Sequence, residues 1–230
     1  MFEYLQDAFY KNFIYMDRWK IILSGFGLTI KLSMLSFILG TLLACILCAG
    51  KVCKVKWLNK VIKGYNGLIN KIPHMVILML LYYVVLADVA VSAEVIAVIG
   101  LTLRIASTLS DNFESVLRSV QKGEIEAART LGMSATQAFM HVTMPQVIRA
   151  VAPLYRIQFV MAVQMTSVVS ILSLMDLTRS VNVVAAYTFD PYIGVIVTTI
   201  VYIIVGYIGD LLIGAFAKER HTYIKGGKAA

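Results

Sequence analysis

Three runs of 19 residues, Leu32–Gly50, Ile157–Met175 and Pro191–Gly209, contain no ionised side chain, and a fourth, Ile72–Ala87, runs for 16. A helix needs about 20 mostly apolar residues to cross about 30 Å of hydrocarbon, and without water the backbone must satisfy itself. The fold class is therefore all-α integral membrane. Only 15% of the residues are charged, against roughly a quarter in a soluble domain.

Five transmembrane helices are expected, over about residues 21–49, 61–87, 93–113, 147–175 and 192–217. Residues 1–20 carry Glu3, Asp7, Lys11, Asp17, Arg18 and Lys20 among aromatic residues. They read as an amphipathic, interfacial segment rather than a signal peptide. The net charge of +8 is concentrated in Lys51, Lys54, Lys56, Lys60 and Lys63, and in the 218–230 tail with Lys218, Arg220, Lys225 and Lys228. The positive-inside rule puts both groups in the cytoplasm, which leaves the N-terminus outside and the C-terminus inside. Topology accounts for the basic charge, so nucleic acid is not the expected partner. Lipid is.

Cys45, Cys48 and Cys53 cluster at the inner end of the first span without a nearby histidine, and read as small buried apolar residues rather than metal ligands. His74, His141 and His221 are scattered, and no phosphate-binding G-x-x-x-x-G-K-[ST] loop or zinc-protease helix occurs. No catalytic residue and no bound cofactor are expected.

Polar groups inside the spans are candidates for a solute path, because charge facing lipid costs about 2.5–3.5 kcal/mol on insertion scales. Arg104 could meet a solute carboxylate, lock two chains together, or pair with a backbone carbonyl or an acid. Gln164, Thr166, Ser167 and Ser170 form a polar stripe on the fourth span, although hydroxyls also bond their own helix backbone. Lys31 is long enough to snorkel to the outer surface.

The 114–146 segment is the one loop long enough to hold structure. "GEIEAARTL" is helix-forming, and Gly132 supplies the flexible or left-handed position that ends a helix. "SATQ" reads as a capping box in which Ser134 and Gln137 cap each other's backbone. A short second helix then covers "ATQAFMH", and Pro145 suits the first turn of the next helix.

This pattern, Glu126-Ala127-Ala128, Gly132, Val142 and Met144-Pro145, resembles the EAA loop of permease subunits of bacterial ABC importers. The similarity runs from about Ile22 to Ala217 and is closest to the polar amino-acid branch. "SGFGLTIKLSMLS" (24–36), "MTSVVSILSLMDLTRS" (165–180) and "AYTFDPY" (186–192) carry it. The resemblance implies a type I ABC importer permease fold in the bacterial cytoplasmic (inner) membrane. It also implies two partner ATP-binding subunits that hold ATP and Mg, a second permease chain, identical or homologous, and an extracytoplasmic solute-binding protein. Glu126, Ala127, Ala128, Gly132, Ser134, Gln137 and Pro145 would then couple the ATPase to the spans. In that role Glu126 fixes the first helix against the loop by hydrogen bonds, and Gly132 avoids obstructing the turn.

The sequence departs from the branch in three places. It has "NKIP" (70–73) for Arg-Gly-Thr-Pro, Gln164-Met165 for Lys-Asp, and Glu114-Ser115-Val116 for Arg-Gly-Gly. These changes leave the fold and coupling role intact and bear on the cargo. An opine, a sulfonate or another small polar solute on the same architecture is the alternative, and a non-transporting membrane assembly factor is the more distant one.

Overall fold

The computed structural model describes residues 2–53 and 55–218. Lys54 and most of the expected basic tail, with Arg220, His221, Lys225 and Lys228, lie outside the described residues. All the described regular structure is helical. Helix α1 (Phe2–Phe9) leads through a wide turn (Tyr10–Ile14) and a 3-10 turn (Tyr15–Asp17) into α2 (Trp19–Val52). Met16 and Asp17 adopt left-handed backbone (φ +55 and +56), so the chain turns sharply there. Then come α3 (Lys56–Lys71), α4 (His74–Leu80, prolonged by a wide turn Leu81–Val85) and α5 (Ala93–Ser119). The 114–146 segment contributes α6 (Lys122–Thr130) and α7 (Ala135–Ala138). Three longer elements follow: α8 (Met144–Met165), α9 (Leu177–Thr188) and α10 (Pro191–Lys218).

Four helical stretches are long and apolar enough to cross a membrane: Trp19–Val52, Ala93–Ser119, Ala135–Leu172 and Pro191–Gly214. The expected second span is not a straight rod. Its residues form two helices, α3 and α4, bent by 107° to each other. Pro73 has no N–H to continue α3 and drives Ile72 into extended backbone (φ −85, ψ 131). On the near side of the bend, α3 exposes Lys56, Lys60, Lys63 and Lys71 while burying Ile62 and Asn66.

The core forms where α2 lies along α5. Leu32, Phe37 and Ala44 meet Ile96, Ala97, Leu101, Ile105 and Leu109, with Ile77 and Leu78 from α4 and Phe159, Ala162 and Val163 from α8. Phe159 stacks edge-on to Phe37 at 5.2 Å between centroids. A Cβ at Gly209 would sit 2.0 Å from the Phe159 ring, so glycine is what lets α10 approach α8. A smaller cluster joins Ile22 of α2 to Leu177, Val181 and Val184 of α9.

The 176–190 stretch, expected to be a connecting segment, is mostly helix α9. Asp176 caps it by accepting from Thr178 N–H (3.0 Å) and Arg179 N–H (3.2 Å). Thr29 Oγ1 of α2 accepts from Leu177 N–H at 3.0 Å and anchors the same turn.

Candidate functional site: the 114–146 segment and the polar span faces

In the 114–146 segment, α6 ends at Thr130, and Gly132 takes φ +88. The left-handed position expected at Gly132 is present, whereas the expected steric obstruction of the turn needs correcting. Nothing lies within 4 Å of a Cβ built there, so the constraint is the left-handed backbone and not space. The Ser134–Gln137 capping box forms: Ser134 Oγ accepts from Gln137 N–H at 3.2 Å, and Gln137 Oε1 accepts from Ser134 N–H at 2.8 Å.

The short second helix is not a separate element. It runs through a wide turn (Phe139–Thr143) into α8, making one continuous stretch from Ala135 to Leu172. Pro145 sits in the first turn of α8, where its missing N–H leaves no break, because the wide turn takes up the change of hydrogen-bond register.

Ala128 and Ala138 are buried inside the segment, whereas Ala127 and Glu126 face outward. Glu126 makes no hydrogen bond or ion pair among the described residues. The acid that closes the segment is Glu124, which accepts from Gln146 Nε2, while Arg129 donates to Met133 O at 3.0 Å. Leu131 is 82% exposed and Met140 55%. Two apolar side chains of the tip are therefore uncovered in the single chain.

Within the spans, Arg104 is half-buried and donates through Nη1 to Ile69 O (2.5 Å) and Ile72 O (3.3 Å). Of its three readings, the structure gives backbone pairing: the guanidinium caps the α3 C-terminus, where free carbonyls and the helix dipole favour a cation. Lys31 does not reach for the surface alone. It pairs with Glu94 at 2.6 Å, joining α2 to α5.

The fourth-span stripe divides. Thr166 is fully buried and donates to Val163 O (2.7 Å), so it is a helix-internal bond. Ser167 and Ser170 are half-buried, and Arg179 Nη1 donates to Ser170 O at 2.8 Å. Gln164 alone faces an open cleft of about 520 Å³, shared with Thr199, Tyr202, Tyr207 and Asp210.

Two charged groups escaped the sequence reading. Arg156 and Asp210 lie inside the expected fourth and fifth spans, yet each immediately borders a charge-free run and so reads as its edge. In the fold Arg156 Nε is 3.6 Å from Asp210 Oδ1. The second group centres on Lys51, which reads as one more cytoplasmic lysine but has a fully buried side chain. It pairs with Asp111 and lies 3.6 Å from Glu114, while Asn66 and Asn70 donate to Asp111 at 2.7 and 2.9 Å. The signal for it was the spacing of Asp111, Glu114 and Arg118, which share one face of α5.

The cysteines are free, and the expectation that they are buried is wrong. Cys45 and Cys53 are exposed and Cys48 is half-buried. They line an apolar groove with Phe113, Phe139 and Met144, because small side chains on α2 leave the neighbouring helices unfilled on that side. Among the described residues no cluster of three His, Cys, Asp or Glu side chains is placed to hold a metal.

Apolar rods, a sharply bent helix pair and a structured segment between rods define a class of protein: a multi-pass helical membrane component. Residues 36–221 match the model of the binding-protein-dependent transport system inner membrane component family, and the chain belongs to that family. It is a permease-type transporter component, not an enzyme.

Among its relatives, the L-cystine transport system permease protein TcyB of Bacillus subtilis is 27% identical over 90% of this chain and 89% of its own. The histidine/lysine/arginine/ornithine transport system permease protein HisQ of Escherichia coli is 24% identical over 80% and 86%. Among solved structures, an amino acid ABC transporter with histidines superposes with a TM-score of 0.80 (24% identity, 90% of this chain and 98% of that one). An inward-facing MetNI methionine ABC transporter gives 0.63 (15% identity, 88% and 94%). Both share the fold.

Proposed function

We propose that this chain is the permease subunit of an ATP-driven importer carrying a polar amino acid across the bacterial cytoplasmic membrane. Its five spans are α2, the bent pair α3–α4, α5, the stretch Ala135–Leu172 and α10, with the N-terminus outside and the C-terminus in the cytoplasm. Two partner subunits hold ATP and Mg, a second permease chain completes the path, and an extracytoplasmic binding protein delivers the solute. The permease names of the relatives, L-cystine in one and histidine, lysine, arginine and ornithine in another, support an amino acid as cargo.

The observation that carries the coupling role is the continuous helix from Ala135 to Leu172. A helix of 38 residues is about 57 Å long at 1.5 Å per residue. Its first turn is capped by Ser134 and its neighbour Leu131 is exposed. A partner that grips this end moves the span through one continuous helical stretch. Closure of the ATPase dimer then tilts the span, a rigid-body step of the kind that exposes a central path to alternate sides.

The test is reconstitution with the partner ATPase and binding protein, followed by uptake of labelled L-histidine, L-arginine and L-cystine. ATP-dependent uptake of at least one is expected, together with loss of both uptake and ATPase recruitment in Leu131→Asp at normal membrane insertion. Uptake that survives Leu131→Asp overturns the coupling role. Failure of all three probes while a sulfonate or opine is carried overturns the amino-acid assignment.

A further inference from the structure

Two opposite charges lie within the spans where lipid does not suit them. Arg156 of α8 and Asp210 of α10 keep 37% and 45% of their side chains exposed, and their nearest atoms, at 3.6 Å, stand just beyond hydrogen-bonding distance. Charge facing hydrocarbon is disfavoured by about 2.5–3.5 kcal/mol on insertion scales, so this face meets water, solute or a polar partner.

The surface leading to the pair points to solute. Thr199, Tyr202, Gly206 and Asp210 recur along α10 at helical spacing, an intermittent polar stripe on an otherwise apolar helix. With Val160 and Gln164 of α8 they wall the cleft of about 520 Å³, within the size range of small-molecule sites. From Thr199 to Asp210 the cleft extends about 16 Å at 1.5 Å per residue.

One glycine lines the cleft and another makes room for Arg156 just beyond it. At Gly214 a Cβ would stand 3.0 Å from Arg156 Nη1, so glycine gives the guanidinium room to lie along α10. At Gly206 a Cβ would meet only Val160 Cγ1, at 3.5 Å, and the wall stays low.

We propose that this cleft is a stretch of the solute path and that Arg156 and Asp210 are its specificity-determining pair. An α-amino acid carries an ammonium group and a carboxylate a few bonds apart. Asp210 takes the ammonium group, and the planar guanidinium of Arg156 takes the carboxylate through paired N–H donors. Gln164 and Thr199 offer neutral hydrogen bonds further along. The inference rests on the amino-acid reading above and adds the residues that recognise the zwitterion.

The experiment uses the whole importer in vesicles, with Cys45, Cys48 and Cys53 replaced by serine and Gly206→Cys as reporter. That position is one helical turn from Asp210. The rates of modification by a cationic and an anionic methanethiosulfonate of similar size are compared. Both reagents react in the expected result, and millimolar L-histidine slows both. The cation-to-anion rate ratio falls about five-fold in Asp210→Asn and rises about five-fold in Arg156→Gln, the effect of one unit charge about a turn away in a wet cleft. Asp210→Glu keeps the charge and the ratio.

No modification by either reagent means that a partner or lipid seals the cleft, which overturns the proposal. A ratio indifferent to both substitutions, or rates indifferent to L-histidine, does so as well. Uptake by the unmodified importer is followed in parallel. Uptake with an unreactive reporter refutes only the cleft, whereas charge-dependent reactivity without amino-acid uptake refutes the amino-acid reading.

Discussion

Lys51, its side chain wholly buried, pairs with the carboxylate of Asp111 and so fastens the end of α2 to α5 about two turns before α5 ends. The lysine also touches Ser110 Oγ at 3.2 Å and lies 3.6 Å from Glu114, which Arg118 holds at 2.8 Å. Asn59 of α3 donates to Lys51 O, so a third helix joins. Under the proposed coupling role, this fastened junction is where force on the segment enters the spans.

Lys51→Met removes the cation and leaves two acids facing each other. Breaking a buried pair costs about 3–5 kcal/mol, and water access at Asp111 (46% exposed) puts this case at about 3. The expected readout is a clear drop in the unfolding temperature of the purified chain. Part of it returns in Lys51→Met/Asp111→Asn, because the double change removes the orphaned charge as well. A double variant less stable than the single one would contradict the pairing.

At Gly132 the two explanations for glycine make different predictions. With open space around the position and φ at +88, strain follows the backbone and not side-chain size. A non-glycine residue there costs about 1–2 kcal/mol, least for asparagine. Binding-protein-stimulated ATPase activity of the assembled importer is therefore expected to fall in the order Gly, Asn, Ala, Val. If Ala and Asn are equally harmless while larger residues fail, sterics rule instead.

Ser134→Ala removes one half of the capping box, at a cost of about 1 kcal/mol. The first turn of the Ala135–Leu172 helix then frays where the partner grips. Affinity for the partner ATPase, measured by titration in detergent, should weaken about five-fold, with the chain's own unfolding temperature little changed. An unchanged affinity places the grip elsewhere.

Arg104→Gln tests whether the capped α3 terminus is structural. Two charge-assisted bonds to Ile69 O and Ile72 O are lost, each contributing about 1.5–3 kcal/mol. Assembly yield and thermal stability should fall, while the KM for transport by the surviving complexes holds. A raised KM at normal stability would return Arg104 to the solute path.

The apolar runs alone determined that the chain is a helical membrane protein, because hydrocarbon leaves a backbone almost no alternative, and the first and last runs fall inside the helices Trp19–Val52 and Pro191–Gly214. The Gly132 turn, the Ser134–Gln137 cap and the place of Pro145 were legible for a similar reason: each is decided by residues within one helical turn. The bend between α3 and α4 was half legible, since Pro73 announces a break but not a 107° change of direction. Only the tertiary structure decided what the polar residues do. Arg104 and Lys51 find their partners 32 to 60 positions away, and Arg156 and Asp210 meet across 54. The exposure of the cysteines follows from which neighbouring helix fails to cover them. Local pattern fixes what a residue costs in lipid, and packing alone fixes which group relieves that cost.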